Sequence, residues 1–396
     1  MSEHEPTGRV LLRPKRDQGL TEGHLWVYGG DIAGTTGNPG PGDVVDVYSH
    51  ERRFYGRGFY NPRSKIRIRL LTFQEEAIDE HFWNRRIRAA TDLRRRVVTG
   101  TNAYRVVHGE GDLLPGLIVD RYADVLVMQS LSYGMDRHRE TLADLLMAVT
   151  GASAIYLRND AKSRTLEGLP QEKGFLRGQT SIKQDIHEGD ARFLVDIEHG
   201  QKTGWFCDQR ENRLAVATLA KDADVMEAFC HTGAFGIHAA LQGARSVLGT
   251  DVSADALSLA RHHADMNGLT AVCRHEQADV FTHLRELDRT GRRFDLVVLD
   301  PPAFARSRQA VPHAVAGYKE INLWALRAVR RDGFLVTCSC SHHVGEQEFL
   351  DTIASAARDA KRQIRLLESR SQARDHPILA AMPENRYLKC LIVQVL

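Results

Sequence analysis

Cys340 is the residue on which covalent chemistry would turn. It lies in the stretch Val336-Thr337-Cys338-Ser339-Cys340-Ser341-His342-His343, where an apolar run predicts a strand over Phe334 to Cys338 and a second thiol follows on polar ground. In an open α/β sheet, ligands bind in the crevice beyond the carboxyl ends of the strands. That places Cys340 as a nucleophile, whereas Cys338, inside the apolar run, reads as a small buried hydrophobe. A Cys/His metal site is the alternative, although structural zinc usually takes wider Cys spacing and a second ligand pair elsewhere. Carboxylates recur in the same position relative to other strands: Asp251, Asp279 and Asp300, the last followed by Pro301-Pro302. The turn Cys230-His-Thr-Gly-Ala-Phe-Gly236 lets a ligand approach backbone and a helix N-terminus. Asp251 follows it by roughly the 20-residue offset at which an acid reaches a ribose hydroxyl in nucleotide-binding folds. One such acid would be an ordinary loop residue; three at successive strand ends define a rim.

The elements that must carry these groups read as a doubly wound sheet from residue 182 onward. A hairpin, Ile182 to Ile186 and Ala191 to Ile197, opens the region. Strands follow at Val225 to Phe229, Val247 to Asp251, a segment ending at Ala278 to Val280, and Phe294 to Asp300, then Phe334 to Cys338, Ile364 to Glu368 and Leu388 to Val395. Helices are expected at Gly236 to Leu241, Ala254 to Met266, Phe281 to Leu287, Tyr318 to Arg330 and Gln347 to Ala360. Residues 74–181 read as a central α+β linking region, with an Arg-rich helix from Asp79 to Val98, a hairpin turning at Ala123-Asp124, a helix from Asp136 to Val149 and a strand at Ala154 to Leu157. The charges of the Arg-rich helix fit a basic surface or a solvated face equally well.

Residues 1–73 read as a small β-domain or barrel of short strands separated by Gly/Pro turns. From Arg52 to Thr72 stand seven basic residues, Arg52, Arg53, Arg57, Arg63, Lys65, Arg67 and Arg69, and no acid, with Phe54, Tyr55, Phe59 and Tyr60 interleaved. Cations for phosphates beside rings for stacking are the mixture that RNA binding uses. The alternative is a solvated strand face. With 53 Lys plus Arg against 51 Asp plus Glu, any nucleic-acid surface must be local. The start Met1-Ser2-Glu3-His4-Glu5-Pro6 lacks the pattern of a signal peptide and no run is long enough to span a membrane, so a cytoplasmic protein with reduced thiols is expected.

Taken together, Glu227, Gly233, Asp251, Asp279 and Asp300-Pro-Pro resemble the motif series of class I S-adenosylmethionine-dependent methyltransferases. The N-terminal region resembles a PUA RNA-binding domain. Gly109-Glu-Gly-Asp-Leu-Leu-Pro-Gly-Leu-Ile-Val-Asp-Arg-Tyr122, His199-Gly-Gln-Lys-Thr-Gly-Trp-Phe-Cys-Asp-Gln-Arg-Glu-Asn-Arg213, Ser339-Cys-Ser341 and Asp375-His-Pro377 resemble the RlmI-type 23S ribosomal RNA methyltransferases. The resemblance implies an α/β chain with a PUA-like β-barrel over 1–73, a linking domain over 74–181, and a Rossmann-like methyltransferase domain with a seven-stranded mixed sheet over 182–396. It implies S-adenosylmethionine as cofactor, held by Glu227, Thr232, Gly233, Phe235, Asp251, Asp279, Asp300 and Pro301, and no metal. It implies 23S ribosomal RNA as partner, gripped by Arg52, Arg53, Arg57, Lys65, Arg67 and Arg69, with no membrane and with a homodimer left open.

In that family the cysteine of Ser-Cys-Ser is the nucleophile for 5-methylcytidine formation, which carries over to Cys340. Asp300 is the candidate to contact the base. His342, His376 and Glu384 are unranked candidates for removing the C5 proton. Pro301-Pro302-Ala303-Phe304 carries no second cysteine, which implies a one-thiol mechanism. A guanine or adenine nitrogen methyltransferase and a non-catalytic ribosome-assembly protein are the rivals. A dehydrogenase is disfavoured by the absence of the dinucleotide glycine pattern.

Overall fold

The computed structural model describes residues 6–305 and 307–396. The chain divides into two compact units, residues 1–186, 195–207 and 374–385 forming one and 187–194, 208–373 and 386–396 the other. The sequence expects three domains; in the structure residues 1–73 and the linking region share the first unit.

In the first unit, β1 (Gly8–Leu12), β2 (Trp26–Tyr28), β3 (Ile32–Gly37), β4 (Val44–Tyr48), β5 (Phe54–Tyr60) and β6 (Ile66–Thr72) hydrogen-bond in the order β2-β6-β5-β4-β1-β3. Alternation along β6 buries Ile68 and Leu70 beside Val10, Val45 and Val47 and turns Arg67 and Arg69 the other way. A second sheet contains β7 (Ala103–His108), β8 (Leu117–Tyr122), β9 (Val125–Ser130), β10 (Ala154–Asn159) and β11 (Glu172–Arg177) in the order β11-β10-β9-β8-β7. The helix Glu80–Val97, capped where the Asp79 carboxylate accepts from the Phe82 N–H, packs Phe82, Trp83 and Ile87 into a core that also takes Phe59 and Leu71 from β5 and β6. This shared core is why the first 73 residues do not separate. The helix expected over 136–149 is broken at His138 into Tyr133–Arg137 and Arg139–Thr150.

The hairpin β12 (Lys183–Glu188) and β13 (Ala191–Asp196) turns at Gly189, which takes a left-handed φ of 56°. The second unit is built on β14 (Asp224–Ala228), β15 (Ser246–Asp251), β16 (Cys273–Gln277), β17 (Phe294–Leu299), β18 (Val329–Ser339), β19 (Ile364–Arg370) and β20 (Lys389–Val395). Their order is β16-β15-β14-β17-β18-β20-β19, with β20 antiparallel to both neighbours and the other pairs parallel. The expected seven-stranded mixed sheet is therefore present, and the chain order reverses between β14 and β17, the switch point where such sheets bind ligands. Apolar strand residues such as Met226, Val297 and Leu335 pack with the helices Val280–Thr290, Val311–Ala328 and Glu346–Asp359.

Two elements differ from expectation for local reasons. The helix expected from Tyr318 starts at Val311, because Pro312 sits in its first turn, where a missing N–H costs nothing. β18 begins at Val329 rather than Phe334. Between the pairings Phe294↔Val329 and Leu296↔Phe334 the chain bulges through Asp332, left-handed at φ 63°.

Candidate active site

The loop after β14 is held by the strand it leaves. Glu227 is buried, and its Oε1 and Oε2 accept the Phe235 and Gly236 N–H groups at 3.1 and 2.9 Å. Burial pushes its carboxyl up to about 8 despite those two donors. Each oxygen thus takes one loop donor, so Glu227, expected among the cofactor contacts, also braces the loop. Phe229 and His231 take left-handed φ values of 59° and 47°, and Gly233 one of 77° at the start of the helix Ala234–Leu241. A Cβ on Gly236 would stand 2.7 Å from both Glu227 Oε2 and Val247 Cγ1. Thr232 and Phe235 are buried in this loop, where the Thr232 carbonyl bonds His263 Nδ1 at 3.0 Å.

Asp251 ends β15 beside that loop. Its Oδ2 accepts the His231 N–H and its Oδ1 the Ser253 N–H, each at 2.9 Å, so the carboxylate is fixed while keeping lone pairs on both oxygens. Asp279 lies two residues beyond β16 rather than at its end. It caps the helix Val280–Thr290, its Oδ1 accepting from Thr282 N–H and Oγ1 at 2.9 Å, and the backbone donor holds its carboxyl below the usual range. The residue is exposed, and neither of these hydrogen bonds uses Oδ2. A left-handed glycine at a helix start, a two-point-anchored acid and a second acid with one committed oxygen suit a nucleoside cofactor of the kind the resemblance implies.

Cys340 and Asp300 come from adjacent parallel strands. Leu299 pairs with Thr337, so Asp300-Pro301 and Ser339-Cys340 leave β17 and β18 side by side. The Cys340 Sγ–H faces the Pro301 carbonyl at 4.0 Å, and Asp300 is half-buried. Of six free cysteines Cys340 alone is not buried, while Cys338, paired across the sheet with Cys390, is held well above the usual thiol range by its hydrogen bond with Cys390 and by burial.

The flanking serines anchor the thiol's backbone. Ser339 and Ser341 hydroxyls each lie 2.9 Å from the Tyr318 hydroxyl, and Ser341 Oγ accepts the Ala305 N–H at 3.2 Å. Tyr318 and Lys389 are residues of the site that sequence patterns did not single out. The available signal was Lys389 itself, a charge in an otherwise apolar strand, since lysine is almost never buried unless paired. Among the described residues no cluster of three or more His, Cys, Asp or Glu side chains is arranged to hold a metal ion.

The candidate proton acceptors are differently placed. His342 is exposed and lies against the Tyr387 ring at 5.4 Å. His376 and Glu384 belong to the first unit, where His376 is buried on Asp375 at 3.1 Å and Glu384 meets His24 at 3.5 Å.

The basic segment of the first unit divides in two. Arg57 is bonded to Asp46 at 2.7 Å and Arg69 to Glu167 at 3.0 Å and Glu110 at 3.3 Å, with all these side chains largely buried. Arg67 donates to the carbonyls of Asn61 and Pro62. Phe59 is stacked on Trp83 and His138 in the core, and the Tyr55 hydroxyl donates to Asp17 at 2.5 Å. The acids absent from residues 52–72 are supplied by other parts of the chain. Arg52, Arg53 and Lys65 are the expected RNA-binding cations that stay exposed, together with Arg63. Within the Arg-rich helix, Arg94 is buried against Asp112, which makes that position structural.

Residues 10–73 match the PUA-like domain family and residues 108–381 the S-adenosylmethionine-dependent methyltransferase family. Relatives named ribosomal RNA large subunit methyltransferase I include one from Shewanella denitrificans, 42% identical over 98% of this chain and 99% of its own length. Another, from Alteromonas mediterranea, is 40% identical over the same shares. Among solved structures, a candidate SAM-dependent methyltransferase from Streptococcus mutans superposes with a TM-score of 0.83 at 20% identity over 98% of this chain and 99% of that one. A methyltransferase-like crystal structure in complex with SAH superposes with a TM-score of 0.85 at 20% identity over the same shares. These two likenesses bear on the fold.

Proposed function

The chain belongs to the S-adenosylmethionine-dependent methyltransferase family, and on that premise we propose that it methylates C5 of a cytidine in 23S ribosomal RNA through a covalent bond between Cys340 and C6. The observation that carries the reading is one thiol left only half-buried, Cys340, at a strand end beside Asp300-Pro301, while the five other cysteines are buried. Cytosine C5 is too weak a nucleophile to take a methyl group unaided. Addition of the Cys340 thiolate to C6 moves the C5–C6 electron pair onto C5, dividing one difficult step into easier ones.

Asp251 and Asp279 would hold the cofactor, with Thr232, Gly233 and Phe235 shaping the cradle that Glu227 braces. When bound, S-adenosylmethionine supplies an electrophilic methyl group. Asp300, leaving the strand next to the one that carries Cys340, accepts from the exocyclic amine or a protonated N3 as charge builds on the ring. A base then removes the C5 proton, the electron pair returns to the ring and the S–C6 bond breaks. His342, exposed two residues beyond the cysteine, is the candidate base in the second unit. The target atom is hidden in a stacked helix, so the cytidine must lie in a loop or be flipped out. Arg52, Arg53 and Lys65 on the PUA-like domain would contact RNA phosphates. Sedimentation equilibrium decides whether the protein forms a homodimer.

RNA carrying 5-fluorocytidine at the target tests this chemistry, because fluorine cannot leave as a proton and elimination stalls. A denaturation-resistant adduct is expected that requires S-adenosylmethionine, is lost in Cys340→Ala and persists in Cys338→Ala. Full methylation by Cys340→Ala would instead assign a nitrogen target.

A further inference from the structure

We propose that Lys389 is the positioning residue that keeps Cys340 in its thiolate form, through a buried ammonium pinned to the backbone beside the sulfur; the proposal rests on the reading of Cys340 as the nucleophile. β20 starts at Lys389, which pairs with Ser339 across β18, one residue before Cys340. Its side chain is 4% exposed, and Nζ donates to the Ser341 carbonyl at 2.6 Å and the Tyr387 carbonyl at 2.9 Å. The ammonium is therefore fixed on the residue that follows the nucleophile, and two of its three N–H donors are spent on neutral carbonyls.

Among the described residues, three charged or titratable groups bear on Lys389: Cys340, Arg386 and Glu346. Arg386 and Glu346 pair with each other at 2.5 Å, so their effects largely cancel and the Cys340 sulfur is the counter-charge left. Burial lowers the ammonium to about 8, and a thiolate at Cys340 acts in the opposite sense. Attraction is mutual: whatever the thiolate does to hold a proton on Lys389, the ammonium does to release one from Cys340. The thiol proton leaves to water and its electron pair stays on sulfur, ready for C6. The carbonyls alone would be served by any donor, whereas a charge in a dehydrated site carries a desolvation cost that a neutral donor would avoid.

The test follows the rate of Cys340 alkylation by iodoacetamide in the full chain as a function of pH, by peptide mass spectrometry. Wild type should react with an apparent pKa at least one unit below that of an ordinary thiol, roughly 8.5. Lys389→Gln keeps a donor for the Ser341 carbonyl but removes the charge. It should react at neutral pH about tenfold or more slowly than wild type and converge with it in alkali. Lys389→Arg should retain most of the wild-type rate. Calorimetry with S-adenosylhomocysteine reports that each variant is folded. An ordinary thiol pKa in wild type, or an unchanged profile in a folded Lys389→Gln, would overturn the proposal. Because alkylation reads the sulfur without RNA, this result is independent of whether the methylated atom is C5.

Discussion

Asp251 and Glu227 stand on neighbouring strands and serve the same loop in different ways. Asp251 spends one lone pair of each oxygen on a backbone donor and keeps the rest for a ligand. Asp251→Ala should lower S-adenosylhomocysteine affinity roughly a hundredfold or more, since charge-assisted hydrogen bonds are worth about 1.5–3 kcal/mol each; calorimetry checks it, and unchanged affinity would remove Asp251 from the site. Glu227 likewise accepts one backbone donor on each oxygen, but it is buried where Asp251 is only half-buried. In the folded chain its proton is held up to about 8, against 4.5 for an ordinary glutamate. Between those values the folded state binds the extra proton, so this contribution to stability is complete below the ordinary range and is lost as pH rises through about 8. Melting temperatures across that window should fall faster for wild type than for Glu227→Gln, which cannot titrate. At lower pH the variant should be less stable by about 1–3 kcal/mol, because an amide cannot accept both loop N–H groups.

At the scale of elements, the site depends on three strand ends being terminated by different devices: a left-handed loop after β14, two backbone donors on Asp251 after β15, and a serine–tyrosine network after β18. The first is the least tolerant of added bulk. Gly236→Ala would drive a Cβ toward Glu227 Oε2 and Val247 Cγ1, each 2.7 Å away. Overpacking of this kind costs about 1–3 kcal/mol, so a lower thermal midpoint is expected together with weaker S-adenosylhomocysteine binding. Normal binding by Gly236→Ala would show that the loop can shift without penalty.

Over the whole molecule, the exposed cations and the paired ones make separable predictions. Charge reversal of Arg52, Arg53 and Lys65 to Glu should weaken RNA binding and make its salt dependence shallower by about 2–3 in log–log slope, at about 0.7–0.9 for each phosphate no longer neutralised. S-adenosylhomocysteine affinity should not change. An unaltered slope would mark these residues as a solubilising face. Deleting residues 1–73 is expected to expose Trp83, Ile87 and their neighbours, which share a core with Phe59 and Leu71, and to yield an aggregating chain rather than a free catalytic domain. Soluble, monodisperse 74–396 would refute the shared core. The sequence by itself determined the α/β sheet of the second unit, the acids at Asp251 and Asp300, and the contrast between Cys338 and Cys340. Each of these is written in a local pattern: apolar alternation decides which side chains a strand buries, and a polar residue just past the run must sit at its end. Only the tertiary structure decided that Arg69 is neutralised by Glu167, 98 positions away, that Glu227 holds the loop through two backbone N–H groups, and that Lys389 lies buried on the carbonyl of the residue after Cys340. Those outcomes depend on which distant residues meet when the sheets pack, and a period of two along one strand carries no information about the partner across the next.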